Sequence, residues 1–143
     1  LQIVAKLKKV SASEIEKVLH TVRLYDQRNK QVKQYSLGMK QRLGIAMALL
    51  GNPKVLFLDE PTNGLDPAGI QEIRELIRNL PITHQMTVIV SSHLLNEVEQ
   101  MADMVGIIHH GSLIYQGTME SLKSQGNDLE EVFLELTGGL ETL

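Results

Sequence analysis

Cysteine and tryptophan are both missing from this sequence. Without thiols neither a disulfide framework nor a thiolate metal site can form, and a reducing compartment fits the composition. Aromatic residues are scarce, three tyrosines and two phenylalanines, so a partner surface has to rest on aliphatic, methionine and charged groups. The longest apolar runs, residues 55–58 and 86–90, fall far short of the roughly 20 residues that cross a bilayer. Positive charge is also in short supply: 14 Lys and Arg against 17 Asp and Glu leave a formal net charge of -3. That balance gives no basic field to gather a nucleic-acid backbone and argues against nucleic acid as a partner. Residues 2–10 carry no secretory apolar stretch, and an opening at Leu1 reads as a segment of a longer protein.

What remains is an ordinary globular composition. In 143 residues, 43% are hydrophobic and 22% charged, enough for one compact core. Ser13 to Glu16 has capping-box spacing, and Ile15, Val18, Leu19 and Val22 recur at helical intervals, predicting a helix to about Leu24. A polar connection over 25–34 precedes a second helix that opens at Ser36, with Leu43, Met47 and Leu50 on one stripe. Gly51 and Pro53 are expected to close it. Residues 55–58 are continuously apolar, as a strand covered on both faces of a parallel sheet requires, and end in Asp59-Glu60-Pro61. Asp66 is an expected N-cap with Pro67 at the first helical position. Ile70, Ile73, Ile77 and Leu80 mark the buried face, and Pro81 the stop.

A second strand-then-helix unit follows. Residues 87–90 repeat the buried-strand pattern and end in Ser91-Ser92-His93, before an amphipathic helix on Leu94, Leu95, Val98, Met101 and Ala102. Residues 104–108 and 112–116 flank His109-His110-Gly111 as a hairpin, and 118–124 and 128–136 read as two closing helices. Alternating buried strands and helices imply an α/β sandwich with a mainly parallel sheet, whose ligands sit beyond the carboxyl ends of the strands. Asp59-Glu60 and Ser91-Ser92-His93 both fall at such ends.

One carboxylate at a strand tip suffices for magnesium, which keeps most of its waters, and a second can polarise an attacking water. Taken alone, an apolar-Asp-Glu run is better read as an aspartate that merely caps the next turn. Its context matters: residues 36–42, Ser-Leu-Gly-Met-Lys-Gln-Arg, stand shortly before it and open a helix. Helix N-terminal amides and the helix dipole favour phosphate, Ser36 adds a hydroxyl, and Gly38 permits close backbone approach. In isolation these residues also fit a plain serine-capped helix. His93 could equally satisfy the turn after a strand, and His20, His84, His109 and His110 read as exposed or turn residues rather than ligands.

The series Tyr35-Ser36-Leu37-Gly38-Met39-Lys40-Gln41-Arg42, Leu56-Phe57-Leu58-Asp59-Glu60-Pro61-Thr62, Gly64-Leu65-Asp66-Pro67 and Ser92-His93 resembles the ATP-binding cassette (ABC) ATPases over nearly the whole chain. The resemblance implies a partial P-loop nucleotide-hydrolase fold with part of the helical subdomain. Residues 1–52 then belong to that subdomain, 53–126 to the ATPase core, and 127–143 to a C-terminal helix and tail. It further implies Mg2+ at Asp59, a water polarised by Glu60, a γ-phosphate contact from His93, and nucleotide contacts from Ser36, Gly38 and Gln41. Asp66 would stand with these binding residues and couple the two sites of a pair. ATP would be sandwiched between two subunits packed head to tail, each giving its signature segment to the other's nucleotide.

Ser-Leu-Gly-Met-Lys-Gln-Arg resembles the variant of multidrug and peptide-antibiotic exporters, including bacitracin and lantibiotic immunity systems, and residues 128–133 resemble the tail of that group. Leu37 stands where the usual pattern has glycine, which limits backbone freedom there. A permease partner and a cytoplasmic position on the inner face of the membrane follow from the resemblance. The G-x-x-x-x-G-K-[ST] phosphate loop has no match in the sequence. The chain alone is therefore expected neither to bind ATP tightly nor to hydrolyse it, and its strands to lack part of their cover. A non-catalytic docking remnant and a soluble ABC ATPase outside transport are the competing readings.

Overall fold

Polar residues start the two longest described helices of the chain, in a computed structural model that describes residues 1–124 and 128–138. The chain divides into two compact units, the first from Leu1 to Ser91 and the second from Ser92 onward. The tail from residue 139 and the expected boundary at 126 lie outside the described residues.

The first unit comprises helices α1 (Gln2–Lys8), α2 (Ala12–Thr21), α3 (Leu37–Leu49) and α4 (Pro67–His84), with strands β1 (Val55–Asp59) and β2 (Thr87–Ser91). Helix α1 is not expected from the sequence; its apolar Ile3 and Leu7 face solvent and only Ala5 is buried. Its contribution is polar. The Lys8 ammonium donates to the carbonyls of Met47 at 3.1 Å, Ala48 at 3.2 Å and Leu50 at 2.8 Å, satisfying acceptors that a helix end leaves open. The Glu14 carboxylate accepts the Gly51 amide just beyond them.

Helix α2 begins earlier and ends sooner than expected. Ser11 occupies the N-cap, its hydroxyl bonded to that of Ser13 at 2.9 Å rather than to a helix amide. Arg23 is left-handed, with φ 56°. The Leu24 amide reaches back to the Leu19 carbonyl at 2.8 Å and the Arg23 amide to His20 at 3.0 Å. This paired closure ends the helix before Leu24, whose side chain is fully buried.

Helix α3 buries Ile45, Ala46 and Leu49, together with Leu50 beyond its end, whereas Met47 is exposed. The buried stripe is thus one residue out of phase with the expected Leu43 and Met47. In α4, Ile73, Ile77 and Leu80 are buried and Ile70 is half-buried. Pro81 does not stop this helix, which runs on to His84. The ring removes the amide that the Ile77 carbonyl, four residues back, would accept, and the Thr83 hydroxyl in the last turn donates to the Asn79 carbonyl at 2.8 Å. Gln85, left-handed at φ 50°, ends the helix instead.

Strands β1 and β2 pair in parallel, from Val55 opposite Thr87 to Asp59 opposite Ser91. β1 lies against α3 and β2 against α4, which covers the face that carries Leu56. The other face is open: Val55 is 46%, Phe57 72% and Ile89 46% exposed. The expectation of strands covered on both faces is corrected for this sheet, and the expected loss of cover is what the exposures record.

The second unit holds α5 (Leu95–Met101), a hairpin of β3 (Met104–His109) and β4 (Ser112–Thr118), then α6 (Met119–Ser124) and α7 (Leu129–Leu136). The hairpin is antiparallel with an irregularity between Ile107 and Ile108, and His110 and Gly111 at its turn are both left-handed. Val105, Ile107, Met119, Leu122 and Leu129 form its core, flanked by Leu95, Val98, Val132 and Phe133. The Asp128 carboxylate caps α7 by accepting the Glu131 amide at 2.7 Å.

Leu80 has no exposed surface, and Leu80→Ala should destabilise the chain by about 2–5 kcal/mol. Urea unfolding followed by circular dichroism measures this. A loss below about 1 kcal/mol would mean that α4 is not packed as described.

Candidate functional site

Parallel pairing sends the carboxyl ends of β1 and β2 to the same edge, so the polar residues that terminate them meet. The Ser91 hydroxyl donates to the Asp59 carboxylate. The same oxygen accepts the Glu60 amide at 3.1 Å, and that amide also lies 3.2 Å from the Ser91 carbonyl. Glu60 has φ 45°, a left-handed conformation uncommon outside glycine. Beyond it, the Asn63 amide bonds to the Glu60 carbonyl at 3.1 Å and Leu65 to Thr62 at 3.2 Å. Pro61 and Thr62 are buried under these turns, whereas Asp59 is exposed and Glu60 half-exposed.

Among the described residues no hydrogen bond other than that from Ser91 reaches the Asp59 carboxylate. An exposed carboxylate with remaining oxygen lone pairs suits a hard cation that keeps its waters. No group of three His, Cys, Asp or Glu able to cage a metal occurs among the described residues. Mg2+ bound by one or two carboxylates plus a ligand's phosphates fits this donor set better than a transition metal does.

A second cluster forms at the start of α3. Ser36 is the N-cap: its hydroxyl oxygen accepts the Met39 amide at 3.2 Å, which leaves the hydroxyl hydrogen to be donated outward. Ser36 is exposed and Gly38 partly so, and amides of the first helical turn have no partner within the helix. Gln41 and Arg42 are half-buried. The Arg42 guanidinium lies 3.5 Å from the Glu72 carboxylate, fastening α3 to α4. The loop before α4 presses on this helix start. A β-carbon on Gly64, which has φ +73°, would come within 3.3 Å of the Leu37 side chain, and one on Gly38 within 3.9 Å of Leu65. Leu37, the departure from the glycine pattern, therefore packs over Gly64. Asp66 caps α4 by accepting the Gly69 amide at 2.9 Å, so one of its oxygens already has a structural duty.

The structure thus joins Asp59 with Glu60 in one cluster, and Ser36 and Gly38 with the loop carrying Gly64 to Asp66 in another. His93 belongs to the second unit, exposed in the bend before α5. There the Ser92 hydroxyl accepts the Leu94 amide at 3.1 Å. His109 and His110 touch edge to face, with centroids 4.1 Å apart, and His20 stacks on Tyr25 at 3.9 Å. Sequence reasoning gave Ser91 no role of its own. The signal was available, since equal strands over 55–59 and 87–91 put a hydroxyl opposite Asp59.

The described residues include no helix long and apolar enough to cross a membrane. A family model described as "ABC transporter" matches residues 3–63. The chain is 46% identical over 132 residues to the bacitracin transport ATP-binding protein BcrA of Enterococcus faecalis, covering 92% of this chain and 43% of that protein. It is 47% identical over 133 residues to the lantibiotic transport ATP-binding protein SrtF of Streptococcus pyogenes, covering 93% of this chain and 56% of that protein. The chain thus spans about half the length of the curated relatives it matches. A solved ATP-binding subunit of an ABC transporter superposes with a TM-score of 0.74 at 29% identity, over 95% of this chain and 60% of that one.

Asp66→Ala removes the cap of α4 and should lower stability by about 1 kcal/mol, while Asp66→Ser should keep most of it. Chemical unfolding of the two variants checks this. Equal stability of Asp66→Ala and the parent sequence would contradict the capping geometry.

Proposed function

The chain is part of an ABC transporter ATP-binding domain, and from that premise we propose that its parent is the ATP-hydrolysing subunit of an exporter of drugs or peptide antibiotics. The observation that carries the reading is the strand-tip pair Asp59-Glu60, fixed to Ser91 at the edge where an α/β sheet binds its ligands. The bacitracin and lantibiotic names of two relatives support the choice of cargo class.

In this reading Asp59 would hold Mg2+ through its remaining oxygen, and Glu60 accepts a proton from the water that attacks the γ-phosphate. When bound, Mg2+ neutralises charge on the β- and γ-phosphates. His93 donates a hydrogen bond to the γ-phosphate, which an imidazole can do without a permanent full charge. Ser36, Gly38 and Gln41 act in trans: the exposed start of α3 meets the phosphate held by a second subunit, with first-turn amides and the Ser36 hydroxyl as donors. Asp66, fixed as the cap of α4, couples that contact to the loop at Gly64. Leu37, packed over Gly64, ties the two together inside one chain.

The partners are a second ATP-binding subunit, packed head to tail, and a transmembrane permease. The site of action is the cytoplasmic face of the cell membrane. By function, residues 1–52 form part of the signature-bearing helical subdomain, 53–126 part of the ATPase core, and 127–143 the C-terminal part. The 143 residues supply the metal-holding and water-activating acids but no phosphate-cradling loop, so ATP turnover belongs to the parent.

Glu60→Gln in the full-length parent should abolish turnover, leaving less than about 1%, and should trap a nucleotide-bound dimer by size-exclusion chromatography in ATP. An unchanged elution and unchanged turnover would instead favour a docking subunit. The 143-residue chain alone should release no phosphate from ATP above background in a coupled assay. Steady turnover by the purified chain would overturn the assignment of ATP binding to the missing loop.

A further inference from the structure

The Asp59 carboxylate sits at the exposed end of a strand, where nothing in the covalent chain fixes its rotation. A metal-holding acid gains from a fixed rotamer, because orienting a ligand before the metal arrives removes that ordering cost from binding. We infer that Ser91 is the positioning residue for this acid pair, orienting Asp59 toward the metal and holding the Glu60 backbone in its left-handed turn. This inference rests on the ATPase reading and adds to it a residue outside the expected site set.

A serine hydroxyl has one hydrogen to give and lone pairs with which to accept. Here the hydrogen goes to the Asp59 carboxylate and a lone pair takes the Glu60 amide at 3.1 Å. Both duties together fix the hydroxyl rotor, so it cannot satisfy one neighbour by abandoning the other. The hydrogen bond to one carboxylate oxygen leaves the second for a metal or its bound water. The Glu60 amide is held from two sides, by the hydroxyl and by the Ser91 carbonyl at 3.2 Å. A left-handed non-glycine residue persists only where its surroundings hold it there, and these two bonds are such a restraint at Glu60, with φ 45°. The arrangement depends on register, with Ser91 directly opposite Asp59. A hydroxyl one residue away would point to the other face of the sheet.

A purely structural role, pinning two strand ends together, predicts lost stability without altered metal dependence. Ser91→Val and Ser91→Thr separate the two readings, because both are β-branched, of similar shape and suited to a strand, and only threonine keeps the hydroxyl. In the full-length parent, Mn2+ is titrated against a non-hydrolysable ATP analogue and followed by electron paramagnetic resonance, with Asp59→Asn as the control. Ser91→Val should weaken Mn2+ binding about tenfold, the scale of one charge-assisted hydrogen bond, and Ser91→Thr should restore it to within about twofold. The Mg2+ concentration that half-saturates ATP turnover should shift in parallel.

Unchanged Mn2+ affinity in Ser91→Val, with a large loss in Asp59→Asn, would overturn the role of Ser91 and leave the metal site standing. Unchanged affinity in Asp59→Asn would remove the metal site and this inference with it. Should Ser91→Val fail to fold, Ser91→Ala read against Ser91→Thr carries the same test. Equal weakening in alanine and threonine overturns the role, and weakening in alanine alone supports it.

Discussion

Parallel pairing of β1 with β2, in the register that sets Asp59 opposite Ser91, is the constraint on which the rest depends. Direction places both strand ends at one edge, and register decides which side chains share a face. A slip of one residue would send Asp59 and Ser91 to opposite faces and bring Phe57 inward in place of Leu56. Packing opposes such a slip: Leu56 is 4% exposed on the face against the helices, while Phe57 stands outward at 72%. The register that buries the right aliphatic residue is therefore also the register that assembles the acid and its hydroxyl.

The helices serve the same edge in a different way. Ser36 and Asp66 each satisfy one amide at a helix start, and the remaining first-turn amides of α3 keep their capacity for an anion. The far end of α3 is closed by Lys8 and Glu14. A cation at the C-terminal carbonyls complements the helix dipole, and the free amides stay at the opposite end. Arg42 and Glu72 then join α3 to α4. Leu37 resting on Gly64 links the helix that would meet a partner's phosphate to the loop that follows the acids.

Much of this was readable in the residues because local chemistry determined it. Asp66 before Pro67, Ser36 before a helical run, and Asp128 before another each became a working or positional cap, since a short polar side chain at a helix start has few better uses. The strand cores and the hairpin about His110-Gly111 followed from apolar patterning and from residues tolerant of left-handed backbone. The failures have physical causes too. Arg23 takes a left-handed closure normally left to glycine, so α2 ends where nothing in its composition announces it. Pro81 lies inside α4, which runs on to His84 although the ring takes one donor out of the ladder. Helix α1 is short, and its apolar Ile3 and Leu7 stand exposed, so it owes little to burial of an apolar face. The open face of β1 and β2 is invisible to a pattern of continuous apolar residues, which states what a strand could bury and not what is present to cover it. Ser91 escaped notice because its role exists only across a strand pair, thirty-two positions from Asp59.

Under the proposed reading, the acid pair at the tip of β1 and the exposed start of α3 would be the parts of the nucleotide site that this chain contributes. The central claim is that the strand-tip pair is the metal edge of the nucleotide site. A crystal of the full-length parent with Mn2+ and a non-hydrolysable nucleotide tests it most directly, through the position of the manganese anomalous peak. The account predicts a peak bound to the Asp59 carboxylate directly or through one water molecule, with Ser91 still bonded to that carboxylate. A peak coordinated elsewhere, with Asp59 turned away from it, would contradict the account.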